Sequence, residues 1–394
     1  MTNSRFGSPL ARVTLAVLLL GSVSWGQASS SQRLPQTKGP GKIIVYPKFG
    51  GKIFGFDIDQ NGREGLLSES VVNGNNCPYA TETFAQATGK IIKVVSEGQS
   101  AGCADDEVTW GVAGSSVGLV ERQHSPGVGH NLRMTFKTLN PLEQNRINGT
   151  WLPPQKKAAY ILGVSRNQGT PINAYQVYDV NTEMVYAFGS DVGKNTFGPV
   201  IQIASNPGMI GLNVKTNVAV LAGEDGSGTT EVIQADLTTG DVTSFLGVGN
   251  GSAMGLAVDS ENDTAVVATF YDASVAFYDL KNQTGFSEVL PGIPQNCDNA
   301  CTADDVEFDP LHKLFLVAQP LSSQCSGGCN YSTIYVYDIQ GNLVETLNGF
   351  DFTGAFFADP FNVHMALYPK NRRGFVDVIH AKEAGAGAIQ SFTY

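Results

Sequence analysis

The chain has 394 residues, a formal net charge of −11 at pH 7, 15% charged residues, 45 Gly and 18 Pro. That balance excludes a coiled coil and an intrinsically disordered chain. The acidic sign, without any basic cluster, excludes nucleic acid and anionic membrane as natural partners.

Taken in chain order, Arg5 and Arg12 precede an apolar run, Val13 to Val23, and small residues around Ala28. This pattern predicts a secretory signal peptide over 1–28, and hence a secreted or periplasmic protein. The run is too short to span a bilayer, and no later segment is apolar for long enough. Residues 29–41 read as a flexible lead-in, and 42–394 as a single domain.

Predicted strands then begin at Lys42 to Tyr46 and Lys52 to Asp57. Residues 73–150 are irregular, with short strand patterns at Val108 to Val112 and Val117 to Arg122. From Met209 onward the pattern is regular. One unit reads Met209 to Lys215, Val218 to Ala222, Thr230 to Ala235 and Val242 to Leu246. The next reads Met254 to Asp259, Thr264 to Phe270, Ser274 to Tyr278 and Ser287 to Leu290. A third reads Asp305 to Asp309, Lys313 to Ala318, Thr333 to Tyr337 and Leu343 to Leu347. His364 to Tyr368, Gly374 to Ile379 and Ala388 to Tyr394 begin a fourth that stops after three strands. Alternating apolar residues, β-branched enrichment and Gly, Asn or Asp turns mark each unit as an antiparallel meander.

A short phrase recurs with these units: aromatic or Ala, Asp, aliphatic, polar turn. Its copies centre on Asp57, Asp179, Asp236, Asp279 and Asp338. Four strands roughly every 50 residues predict an all-β fold, a β-propeller of four-stranded antiparallel blades. The count totals seven blades, with six or eight left open by the irregular stretch. An N-terminal strand is expected to complete the last blade, which removes an exposed sheet edge.

Six Cys follow the leader: Cys77, Cys103, Cys297, Cys301, Cys325 and Cys329. An even count in an exported chain predicts disulfides, though the pairing does not follow from sequence. The two C-x3-C pairs also suit a four-thiolate zinc site, which an oxidising compartment disfavours.

Two Cys-flanked stretches read alike, Cys103-Ala104-Asp105-Asp106 and Cys301-Thr302-Ala303-Asp304-Asp305. With Asp359, they place Asp105, Asp106, Asp304 and Asp305 at the starts of inner strands. Carboxylates gathered at a channel mouth can hold Ca²⁺ or another divalent cation, or raise one another's pKa for acid/base work. The alternative is that they cap turns by accepting backbone N–H bonds. His364 and His380 are further catalytic candidates on that face, and His312 sits in a turn on the opposite one. Asp57-Ile58-Asp59-Gln60-Asn61-Gly62 starts like a calcium loop, but Ser68 replaces the closing Glu, and the stretch reads as a hairpin turn. No G-x-S-x-G elbow occurs.

Gly255-Leu256-Ala257-Val258-Asp259, with Thr264-Ala265-Val266-Val267-Ala268 and Val275-Ala276-Phe277-Tyr278-Asp279, resembles blades of the YVTN, NHL and lactonase-like propeller superfamily. The stretch Ala303 to Asp309 resembles one metal-ligand element of gluconolactonase and senescence-marker-like propellers, which implies a ligand role for Asp304. Met254 stands where that resemblance implies an Asn ligand. The expected function is an extracytoplasmic binding or interaction module. Its ligand would be a small molecule, glycan or protein on the top face of a monomer. The alternative is a lactonase-like or lyase-like enzyme using the channel-mouth carboxylates.

Overall fold

The computed structural model describes residues 38–60, 62–71, 76–101, 133–136, 147–150, 159–164, 172–179, 184–191, 196–203, 206–250, 253–269, 273–292, 303–319, 333–350, 363–379 and 387–394. Apart from a 3-10 turn at Pro369–Asn371, their regular structure is strand.

β1 is Gly39–Val45. β2–β5 are Lys52–Ile58, Glu64–Ser70, Asn76–Ala85 and Ile91–Ala101. β6 and β7 are Arg133–Phe136 and Ile147–Thr150. β8–β12 are Ala159–Val164, Ile172–Asp179, Met184–Asp191, Thr196–Phe197 and Ile201–Ile203. β13–β16 are Asn206–Asn213, Val218–Glu224, Thr229–Asp236 and Val242–Asn250. β17–β20 are Ala253–Asp259, Thr264–Thr269, Ser274–Asp279 and Thr284–Val289. β21–β24 are Val306–Asp309, Leu314–Gln319, Thr333–Asp338 and Leu343–Asn348. β25–β27 are Met365–Tyr368, Arg373–Ile379 and Gly387–Thr393.

Among the described residues, β2–β5, β13–β16, β17–β20 and β21–β24 are four-stranded antiparallel meanders. β8–β11 form another, with β12 added against β10, and β6 pairs with β7. β25, β26 and β27 take β1 as their fourth strand. In that last pairing Ile44 lies opposite Gln390 and Val45 opposite Ile389, with an irregularity between Pro40 and Ile44. The Gln390 side-chain Nε2 donates to the Gly41 carbonyl at 3.0 Å. The expected N-terminal strand is therefore present, starting at Gly39, inside the segment read as lead-in.

First strands of successive sheets touch in the order β8, β13, β17, β21, β25, β2, so the sheets follow one another around a common axis. Each of these seams has its own apolar cluster. Ala219, Leu221 and Ile233 meet Val185 and Ile201 in one, and Val220 and Val232 meet Val267 and Tyr278 in the next. Phe277 and Val266 face Phe315 and Tyr337. Leu316 and Val336 face Met365 and Val376, and Phe375 and Ile389 face Phe56, Leu67 and Phe84. Aromatic edges tighten the third seam, with Phe277 and Tyr337 ring centres 5.5 Å apart at 65°. Each such buried ring stabilises by roughly 1.5–3 kcal/mol. Both sheet faces are thus covered, which explains runs such as the wholly buried Leu314–Gln319.

The recurring Asp is a turn cap. Asp236 Oδ1 accepts from the Thr238 and Thr239 amides at 2.7 and 3.0 Å. Asp279 does the same for Lys281 and Asn282, and Asp338 for Gln340 and Asn342. These three residues close third strands. Asp57 does not share their slot: it lies in first strand β2, and Asp179 closes the second strand of its sheet. First strands end instead on Asn213, Asp259 and Asp309, which cap the other hairpin on the same edge. The phrase therefore marks a chemical need of tight turns rather than one fixed strand.

Candidate functional site

First strands start, and second strands end, at what we call the upper edge. Two groups of buried acids occupy it. The first begins at Ala303, whose amide donates to the Thr269 carbonyl of β18 at 3.3 Å. Asp304 is 1% exposed, and its Oδ2 accepts the Val363 amide at 2.9 Å. Asp305 Oδ2 accepts the Met365 amide at 2.6 Å. Three consecutive residues thus tie three consecutive sheets. The backbone here presses on Gly255: a Cβ at that position would lie 2.3 Å from the Asp304 carbonyl oxygen. This contact supplies the physical reason for the glycine of the Gly255-Leu256 motif.

His364 is 6% exposed. Its amide donates to Asp377 Oδ1 at 2.8 Å, and its Nδ1 lies 3.1 Å from Asp377 Oδ2. Asp377 was not signalled by any motif; its only trace in the sequence is an acid between Val376 and Val378 in an apolar strand. His312 is in the expected turn at the lower edge, its ring bonded to Asp309 Oδ2 at 2.7 Å.

The second group lies on the β2–β5 sheet, beneath the crossover 46–51 from β1 to β2. Glu69 takes the Phe49 and Gly51 amides at 2.8 Å each, one on each oxygen. Glu82 Oε2 takes the Lys48 amide at 3.0 Å, while its buried Oε1 has no partner among the described residues. The Lys48 ammonium reaches Glu97 at 2.5 Å. Burial pushes the Glu69 carboxyl up. Burial, with the nearby charge of Glu69, pushes Glu82 up to about 7. Sequence reading missed both acids, because a polar strand such as Thr81-Glu82-Thr83 is ordinarily read as solvent-facing.

Asp105, Asp106, Asp359, His380, Cys103, Cys297, Cys301, Cys325 and Cys329 lie outside the described residues. Cys77 falls in β4. Among the described residues no three His, Cys, Asp or Glu side chains form a set able to hold a metal ion. None of their helices is long and apolar enough to cross a membrane.

A chain in the crystal structure of a mitotic checkpoint complex matches with a TM-score of 0.58, over 98% of this chain and 99% of that chain. The fold is a β-propeller. At 12% identity the likeness carries the architecture alone. Neither a family model nor a curated protein matches. In propeller terms, the two acid groups sit at the seams joining successive blades. The described bonds of Asp304 and Asp305 hold backbone of the following blade.

Proposed function

We propose that this chain is an exported, seven-bladed propeller that acts as a binding module and holds a protein partner on its upper edge. The observation behind this reading is the contrast between the two edges. Lower-edge hairpins such as 260–263, 280–283 and 310–313 are tight and capped. The upper edge has short connections at 225–228 and 270–273, but it also carries the long ones: 293–302 precede β21, 320–332 join β22 to β23, and 351–362 precede β25. Long connections on a rigid frame are where recognition usually resides. In the proposal the β6–β7 pair belongs to the seventh blade, and disulfides among the six Cys brace the upper connections. Lactonase-like chemistry would need Asp304 turned toward a ligand, whereas its Oδ2 is engaged by the Val363 amide.

The test is a photo-crosslinker at position 326 or, as control, at position 281 of the full chain, made in an exporting host. The expected result is an adduct with one protein from position 326 only, competed away by unlabelled chain, and a mature N-terminus near residue 29. Adducts from both positions alike, or lactone turnover lost in Asp304→Asn, would overturn the binding reading.

A further inference from the structure

We infer that the crossover 46–51 is a pH-responsive latch at the seam where the closing blade hands over to the first. It is held while the Glu69–Glu82 pair carries a proton and loosened when both carboxylates are ionised.

Ile53 lies opposite Glu69, Glu69 opposite Ala80, and Leu67 opposite Glu82. Strand alternation therefore puts Glu69 and Glu82 on one face, with Leu67 and Phe84 of the apolar seam. Glu97, opposite Ala80, extends the same face onto β5. Glu69 and Glu82 are 1% and 0% exposed. The charged groups acting on Glu82 are Glu69 from β3, Glu97 from β5 and Lys48 from the crossover itself. Ile53 of β2 and Gly387 of β27, which flank the crossover, carry no charge, and Lys52 alternates to the other face. One ammonium therefore serves three carboxylates, and it is already paired with Glu97.

The three amides that the acids accept, from Lys48, Phe49 and Gly51, are what the acids contribute to holding the crossover. The Gly51 carbonyl in turn takes the Gly387 amide at 2.9 Å. Glu82 Oε1 has no donor to stabilise a negative charge, so it is the natural seat of the proton that the pair retains. Ionising both acids adds like-charge repulsion in a desolvated seam, and opening the crossover relieves it by admitting water. The crossover also carries Tyr46 and Phe49, 50% and 39% exposed, so its release alters the surface presented at the upper edge.

The experiment is amide hydrogen exchange on the full chain at about pH 5.5 and about pH 8, each referred to the intrinsic exchange rate. Protection of the Lys48, Phe49 and Gly51 amides is expected to fall about thirtyfold at the higher pH. Amides of Val266 and Val267, in another seam, should hold. Glu82→Gln keeps the shape but cannot ionise, so its protection should not depend on pH. Unchanged protection in the parent chain, or a full drop retained in Glu82→Gln, overturns the latch. Should that variant misfold, carboxyl ¹³C titration of the parent decides. A glutamate with a midpoint near 7 is expected, and a set all titrating below about 5.5 sinks the idea.

Discussion

Asp304 shows how an acid suggestive of chemistry can be a fastener. Its buried Oδ2 receives the Val363 amide. Replacing it with Ala strands that donor and should cost about 2–3 kcal/mol, the usual range for a buried bond to a charged acceptor. Asp304→Asn keeps an acceptor and should recover much of the loss. Urea midpoints of the two variants check this, and an Ala variant within about 0.5 kcal/mol of the parent would show the bond to be unimportant. Residue type placed Asp304 at the right edge, because an acid just before an inner strand reads as a polar start. It did not disclose the partner amide, which comes from a blade nearly 60 residues later in the chain. Glu69 and Glu82 were illegible for a related reason: hydrophobic alternation locates strands whose inner face is apolar, and here that face ends in acids capped by a loop.

At the scale of the element, the hairpins follow one plan. Residues just before the following strand adopt a left-handed conformation: Asn217, Asp263, Gln283, Lys313 and Arg372, with φ between 52° and 57°. Asn and Asp tolerate this region, whereas a longer side chain strains there. Gln283→Gly should therefore stabilise by about 0.5 kcal/mol, the relieved strain slightly exceeding the added chain entropy. A lower urea midpoint would mean that the side chain itself holds the turn. This plan made the β13–β27 region legible, since Asp and Gly punctuation coincides there with clean alternation. In β4 and β5 it fails. Buried Thr81, Glu82 and Thr83 blur the alternation, and two long strands lie where the sequence looked irregular.

For the whole molecule, two groups of the described acids respond oppositely to pH. Backbone amides of Thr238 and Thr239 hold Asp236 below the usual carboxylate range, and those of Asn282 and Lys281 assist likewise at Asp279. Such caps stabilise above the unfolded pKa and are lost as pH falls through the lower folded value; being exposed, they contribute little each. Glu69 and Glu82 are raised, so they favour the fold at low pH and cease to do so as pH climbs from the unfolded value toward about 7. The thermal midpoint should thus be highest near pH 5 and decline toward pH 8, with Glu82 accounting for roughly 2–3 kcal/mol. Calorimetry across that range tests it, and a midpoint rising steadily to pH 8 would contradict the assignment.

The pairing of β1 with β27 has a further consequence in time. A ribosome delivers Gly39–Val45 early, yet its hydrogen-bonding mate, Gly387–Thr393, emerges only after every intervening sheet has been translated. The pairing cannot form until Gly387–Thr393 has emerged, and forming it is a long-range search by a waiting segment. Until that mate emerges the segment is open to mispairing, and a chaperone that shields it would find its substrate there.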